Sequence, residues 1–228
     1  MLECFNSTMT DDVMQKIKES VPYVRWKTNI TNNFDVKKIM IKDVLMFGKK
    51  VGFVVVDAEC YDKESGRKIP SYAFLRGDSV SIMPVLFCNN EIYTVMVTES
   101  RTPIGCVAQT GLPAGMIDND NFVSAALKEL EEEVGPEFKI TPSDLIDLGT
   151  YSVSCGGTDE HLKLFAFERS VDNDIIEKLQ GRITGAVNEN EHIKVSIHKF
   201  NDIPKMPNID MRSCLSFYRY KEFISKGG

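Results

Sequence analysis

Glu129, Glu132 and Glu133 stand at i, i+3 and i+4 in the stretch LPAGMIDNDNFVSAALKELEEEVGP, Leu112 to Pro136. On a helix that spacing gathers three carboxylates on one face, with Glu131 pointing elsewhere. Like charges so placed cost roughly 0.2–0.5 kcal/mol per pair. At the C-terminal end of a helix each carboxylate also meets the negative pole of the dipole, at a further ~0.3–1 kcal/mol. A divalent cation reverses the sign of every one of these terms. Hard cations such as Mg²⁺ take oxygen ligands and sit on a few carboxylates together with substrate phosphates. The helix alone leaves two readings open, a solvated acidic face and a metal site.

The elements that position these acids are legible around them. Asp120 or Asn121 is a good N-cap. Gly135-Pro136 is a stop, because Gly takes the left-handed turn and Pro cannot continue the helix. Val123, Leu127, Leu130 and Val134 make the apolar face at i, i+4, i+7 and i+11. The tight turn before the helix is Leu112-Pro-Ala-Gly-Met-Ile-Asp118.

Gly115 followed by Lys128-Glu-Leu-Glu-Glu-Glu-Val-Gly135 resembles the Nudix box, G-x5-E-x7-R-E-U-x-E-E-x-G-U, where U is a bulky aliphatic. The turn before it is similar to the L-P-A-G-L/M-I/L-D start of ADP-ribose and ADP-sugar pyrophosphatases in that superfamily. The chain departs from the pattern at four places. It is one residue short between Gly115 and Glu129, Lys128 replaces Arg, Pro136 replaces an aliphatic, and Gly111 stands where Glu is usual. With the missing residue in the turn, Asp120 and Lys128 keep the spacing of the family's structural Glu–Arg pair, each with its charge retained.

The rest of the chain reads as an α/β protein. Thr10–Ser20 is a short amphipathic helix with early acids and later lysines. Trp26 and Tyr23 form an aromatic pair, more often core or interface than ligand platform. Phe53–Val56 and Ser71–Arg76 are strands, with Asp62–Arg67 a polar connection. Ser79–Cys88 and Glu91–Thr98 are strands around a turn at Asn89-Asn90. Leu148–Ser154 and Leu162–Phe167 are strands joined by Ser154-Cys-Gly-Gly-Thr-Asp-Glu160, whose paired glycines permit positive φ. Asp172–Gln180 is a capped helix, followed by a polar loop over 181–190 and a strand after Glu191. Asp210–Lys226 is a helix with Met211, Cys214, Leu215 and Tyr218 facing inward.

The resemblance extends over roughly Lys37 to Tyr220. The run Met46-Phe-Gly-Lys-Lys-Val-Gly-Phe53 and the connection Asp62-Lys-Glu-Ser-Gly66 are similar to the plant-type ADP-sugar diphosphatases. It implies a Nudix α/β/α sandwich with a mixed sheet, over residues 78–228. Residues 1–77 are then a small N-terminal helix and β-rich subdomain for dimerisation and substrate contact. The implied reaction is hydrolysis of the diphosphate of an ADP-sugar, such as ADP-ribose or ADP-glucose, to AMP and a sugar phosphate. The Ala114 carbonyl with Glu129, Glu132 and Glu133 would hold Mg²⁺, or Mn²⁺, and Gly115, Asp120, Lys128 and Gly135 would be structural. Glu191 or Glu189, in a Gly-containing mobile loop, or Glu160 would take the proton of the attacking water. Arg101, with Arg76 as a second candidate, would orient the diphosphate, a task that suits a planar guanidinium. Trp26 would stack on adenine across a homodimer. Two other readings use the same fold: a non-catalytic nucleotide-sugar sensor, and a hydrolase of another nucleoside diphosphate derivative such as NADH.

The bulk properties bound these readings. The 228 residues are 43% hydrophobic and 26% charged, as expected of a soluble globular chain. A net charge of −6 does not favour nucleic acid or an acidic membrane. No run reaches the ~18 apolar residues of a membrane span, and the first residues do not read as a signal peptide. The six cysteines are scattered without C-x-x-C spacing, which fits free thiols in a reducing compartment such as the cytoplasm.

Overall fold

The computed structural model describes residues 1–6, 9–117, 121–185 and 192–227. It divides into two compact units, Met1–Asp78 with Tyr151–Leu162, and Ser79–Thr150 with Lys163–Gly228.

The first unit runs β1 (Leu2–Phe5), α1 (Asp11–Glu19), α2 (Val21–Asn33), β2 (Asp35–Phe47), β3 (Lys50–Tyr61), β4 (Lys68–Ile69) and β5 (Tyr72–Leu75). Its sheet has the order β1-β2-β3-β4, with β5 also on β3. Along β3, Val54, Val56, Ala58 and Cys60 all turn inward, the period of two of a half-buried strand. They pack with Ile17 of α1 and with Tyr23 and Ile30 of α2. Thr10 caps α1 by accepting from the Val13 N–H at 3.4 Å. The sequence pattern gave no sign of α2. Its Val, Thr, Ile and Asn content has weak helix propensity, and burial of Tyr23 and Ile30, two turns apart, overrides it.

The second unit continues with β6 (Ser79–Cys88), β7 (Glu91–Arg101), β8 (Cys106–Gly111), β9 (Ala114–Met116), α3 (Phe122–Glu133), β10 (Ile146–Ser152), β11 (His161–Ser170), α4 (Asn173–Leu179), β12 (Ile183–Thr184), β13 (Ile193–Lys199) and α5 (Met211–Ser225). The sheet order is β10-β11-β6-β7-β13-β12, with β8 on β7 and β9 on β6. Asn89 and Asn90 both take positive φ, 49° and 64°, and join β6 to β7 as a two-residue hairpin.

The layering follows from alternation along the strands. Phe165 and Phe167 of β11 join Val80, Ile82 and Leu86 of β6 in a core with Ala126 and Leu130 of α3 and Leu179 of α4. Glu168, on the opposite face of β11, accepts from the Tyr220 hydroxyl of α5 at 2.5 Å. Helices therefore cover both faces, which is why β6 is buried almost throughout. This meets the expected α/β sandwich.

One helix face differs from expectation. In α5 the buried residues are Ser213, Ser216, Phe217 and Tyr220, while Met211 and Tyr218 are exposed. The hydroxyls of Ser213 and Ser216 pass as polar in a pattern, yet their small size allows close approach to the sheet.

Candidate active site

The turn after β8 is fixed by hydrogen bonds along its length. The Leu112 N–H donates to Ser213 Oγ at 3.0 Å. The Pro113 carbonyl accepts from the Ile82 N–H at 3.0 Å and from Ser81 Oγ at 3.0 Å. The Ala114 N–H donates to Glu133 Oε2 at 3.0 Å. The sequence pattern had this stretch as a turn alone, but residues 114–116 also pair with β6 as β9.

Helix α3 brings its acids to this turn. Asn121 is the cap, accepting from the Ser124 N–H at 3.0 Å; Asp120, the other candidate, lies outside the described residues. The helix closes at Glu133, and Gly135 follows at φ +119°. Gly115 is glycine for a different reason, because a Cβ there would overlap the Glu129 carboxylate. Glu133 is only 5% exposed. Burial pushes its carboxyl up to about 8, and the neighbouring Glu129 and Glu99 add to the rise. The Ala114 N–H and the Arg212 guanidinium act in the opposite direction.

A buried carboxyl that shares its surroundings with two further acids is held in a state a cation would relieve. The donors are carboxylate oxygens, the set that Mg²⁺ and Mn²⁺ prefer. The donor type of Glu129 and Glu133 suits a divalent metal, although among the described residues no group of three or more Asp, Glu, His or Cys side chains is gathered to hold one. Glu132 does not turn to them: it pairs with Lys128 across one helical turn at 3.2 Å. Arg101, at the end of β7, is ion-paired with Glu99. Glu99, Asp210 and Arg212 were not among the residues picked from sequence. Each becomes a neighbour of the box only through the sheet or α5, so no local spacing points to it.

Arg76, Glu160 and Trp26 belong to the first unit. Arg76 pairs with Glu160 at 3.0 Å. Asp159 Oδ1 accepts from the N–H groups of Arg76 at 2.8 Å and Gly77 at 3.1 Å. Asp159 and Asp78 both engage Arg25, and Asp78 accepts from the His161 N–H at 2.9 Å. This network fastens the Ser154–Glu160 loop. Gly156 and Gly157 sit in open space, and neither takes a positive φ. Trp26 is partly buried against the core, 6.2 Å from the Tyr23 ring between centroids. Glu189 and Glu191 lie outside the described residues.

Comparison with known proteins agrees with this architecture. The family model for the NUDIX domain matches residues 76–215, more than half of the chain. The chain belongs to the NUDIX domain family. It is 35% identical over 178 residues to Nudix hydrolase 14, chloroplastic, of Arabidopsis thaliana, a match that covers 73% of this chain. The chain spans 57% of the length of that relative. A crystal structure of ADP compounds hydrolase aligns with a TM-score of 0.59 at 15% identity, over 86% of this chain and 96% of that one. At that identity the likeness is one of fold.

Proposed function

We propose that the chain hydrolyses the diphosphate bond of ADP-sugars, ADP-ribose and ADP-glucose being the leading substrates, to AMP and a sugar phosphate. The observation that carries this reading is the buried Glu133 carboxyl, hydrogen-bonded by the Ala114 N–H and crowded by Glu129. Such a constellation suits a site that takes a divalent cation, which in turn takes the oxygens of a diphosphate. The name of the relative, a Nudix hydrolase, supports hydrolysis, and that of the structural neighbour, an ADP compounds hydrolase, is in keeping with an ADP moiety.

Glu129 and Glu133 would hold Mg²⁺, or Mn²⁺, with the Ala114 carbonyl and with Glu132 once it leaves Lys128. When bound, the cation supplies charge neutralisation at the diphosphate and a lowered pKa for the attacking water. Arg101 orients the diphosphate through its planar fork. The water proton goes to one of three acids, Glu160, which Arg76 engages, Glu189 or Glu191. Trp26 would serve as an adenine platform in a homodimer. We take the compartment to be a reducing one, the cytoplasm, from the six scattered cysteines without C-x-x-C spacing.

The Lys128–Glu132 pair favours one second reading, a sensor that binds nucleotide sugars without turnover. Purified protein with Mg²⁺ is offered ADP-ribose, ADP-glucose and NADH, and AMP is measured. AMP from the ADP-sugars supports the hydrolase and ranks the sugar. Tight ADP-ribose binding with no AMP supports the sensor.

A further inference from the structure

Two glycines flank the Leu112–Ala114 turn, and neither Gly111 nor Gly115 has a positive φ. Backbone geometry therefore requires glycine at neither place. What each provides is room. At Gly115 the space is filled by the Glu129 carboxylate. At Gly111 a Cβ would lie 2.5 Å from Asp210 Oδ2 and 3.3 Å from Arg212 Nη2. An ion pair from the start of α5, about a hundred residues further along, thus occupies the place of a side chain at 111.

That pair is built in. Gly111 lies opposite Val97 in the β7–β8 ladder. On either side of it, Gln109 Nε2 donates to the Asn208 carbonyl at 2.7 Å and the Leu112 N–H donates to the buried Ser213 Oγ at 3.0 Å. Asp210 Oδ1 accepts from the Ser213 N–H at 2.8 Å and caps α5. Its Oδ2 takes Arg212 Nε at 2.8 Å and Nη2 at 2.6 Å. Arg212 is three-quarters covered, and its fork carries five N–H donors, more than Asp210 engages.

We propose that Arg212, held by Asp210, is a substrate-binding residue that takes a phosphate oxygen beside the Leu112–Ala114 turn, and that Gly111 is glycine to admit this pair. The turn then has two chemically opposite flanks, carboxylates past Gly115 for a cation and a guanidinium at Gly111 for the anion that comes with it. Asp210 is a positioning residue that fixes the plane of the fork. The inference rests on the diphosphate reading above and adds to it a second arginine, one that local sequence does not reveal.

Binding of inorganic pyrophosphate with Mg²⁺ is measured calorimetrically for the wild type, Arg212→Met, Arg212→Lys and Gly111→Ala. KM and kcat for ADP-ribose and a thermal melt are recorded alongside. Loss of a hydrogen bond to a charged group predicts weakening of roughly ten- to a hundredfold in Arg212→Met. KM should rise with kcat changed less, and Arg212→Lys should recover part of the loss. Gly111→Ala, which displaces the pair without removing it, should weaken binding in the same direction. Pyrophosphate affinity equal to wild type in Arg212→Met and in Gly111→Ala would overturn the proposal, whatever happens to the melt. The two readings fail separately. Arg212-dependent pyrophosphate binding without AMP release keeps the anchor and removes the hydrolase. AMP release with KM unchanged in Arg212→Met does the reverse.

Discussion

Glu133→Gln isolates the energetic consequence of burying an acid next to acids. The carboxyl titrates near 8 in the folded chain against 4.5 as its ordinary value, with burial the largest cause. Between those values the folded state keeps a proton that the unfolded state releases. Without metal, stability therefore falls as pH rises from about 4.5 to 8 and levels off above. At 1.36 kcal/mol per unit, the full rise is on the order of 5 kcal/mol. Glutamine keeps an acceptor for the Ala114 N–H and removes the titration. In chelator, urea unfolding should show the stability of the wild type falling relative to that of Glu133→Gln across this window. The variant should be the more stable protein at pH 8, by several kcal/mol, or roughly 10 °C in Tm for a chain of this size. Mg²⁺ at pH 8 should raise the wild type and leave the variant unmoved. Parallel pH slopes for the two proteins, or equal stabilisation by Mg²⁺, would refute the argument.

Three further outcomes follow from the contacts. Gly115→Ala should fold but displace the Glu129 carboxylate, and Mn²⁺ titration followed by electron paramagnetic resonance should find the affinity reduced by at least tenfold. Asp159→Ala orphans two N–H groups while Asp78 keeps Arg25 paired; urea unfolding should show a loss of about 1–3 kcal/mol for each orphaned group, with Asp159→Asn milder because it keeps an acceptor. Asn90→Gly suits the positive φ at the hairpin and should raise stability by up to about 1 kcal/mol, read by calorimetry.

The ends of the elements were legible where single residues dictate backbone geometry. Asn89-Asn90 gave the hairpin, Asn121 the cap of α3 and Gly135 its stop, because each acts within a few residues of chain. The same holds for Glu129 and Glu133, which helical spacing alone brings to one face. Glu132 obeys that spacing too, yet Lys128 one turn earlier competes for it, a choice the pattern does not weigh. Helix α2 was hidden because its residues favour helix weakly, and only the packing of Tyr23 and Ile30 selects it. The faces of α5 were misjudged because Ser213 and Ser216 are buried for their size. Glu99, Asp210 and Arg212 could not be read at all, since the strand pairing and the docking of α5 that bring them to the turn are long-range.

The most direct test is AMP release from ADP-ribose as a function of Mg²⁺, comparing the wild type with Glu133→Gln. The account predicts saturable Mg²⁺-dependent release in the wild type and a loss of orders of magnitude in the variant at every Mg²⁺ concentration. Release that ignores Mg²⁺, or a variant that matches the wild type at limiting Mg²⁺, would contradict it.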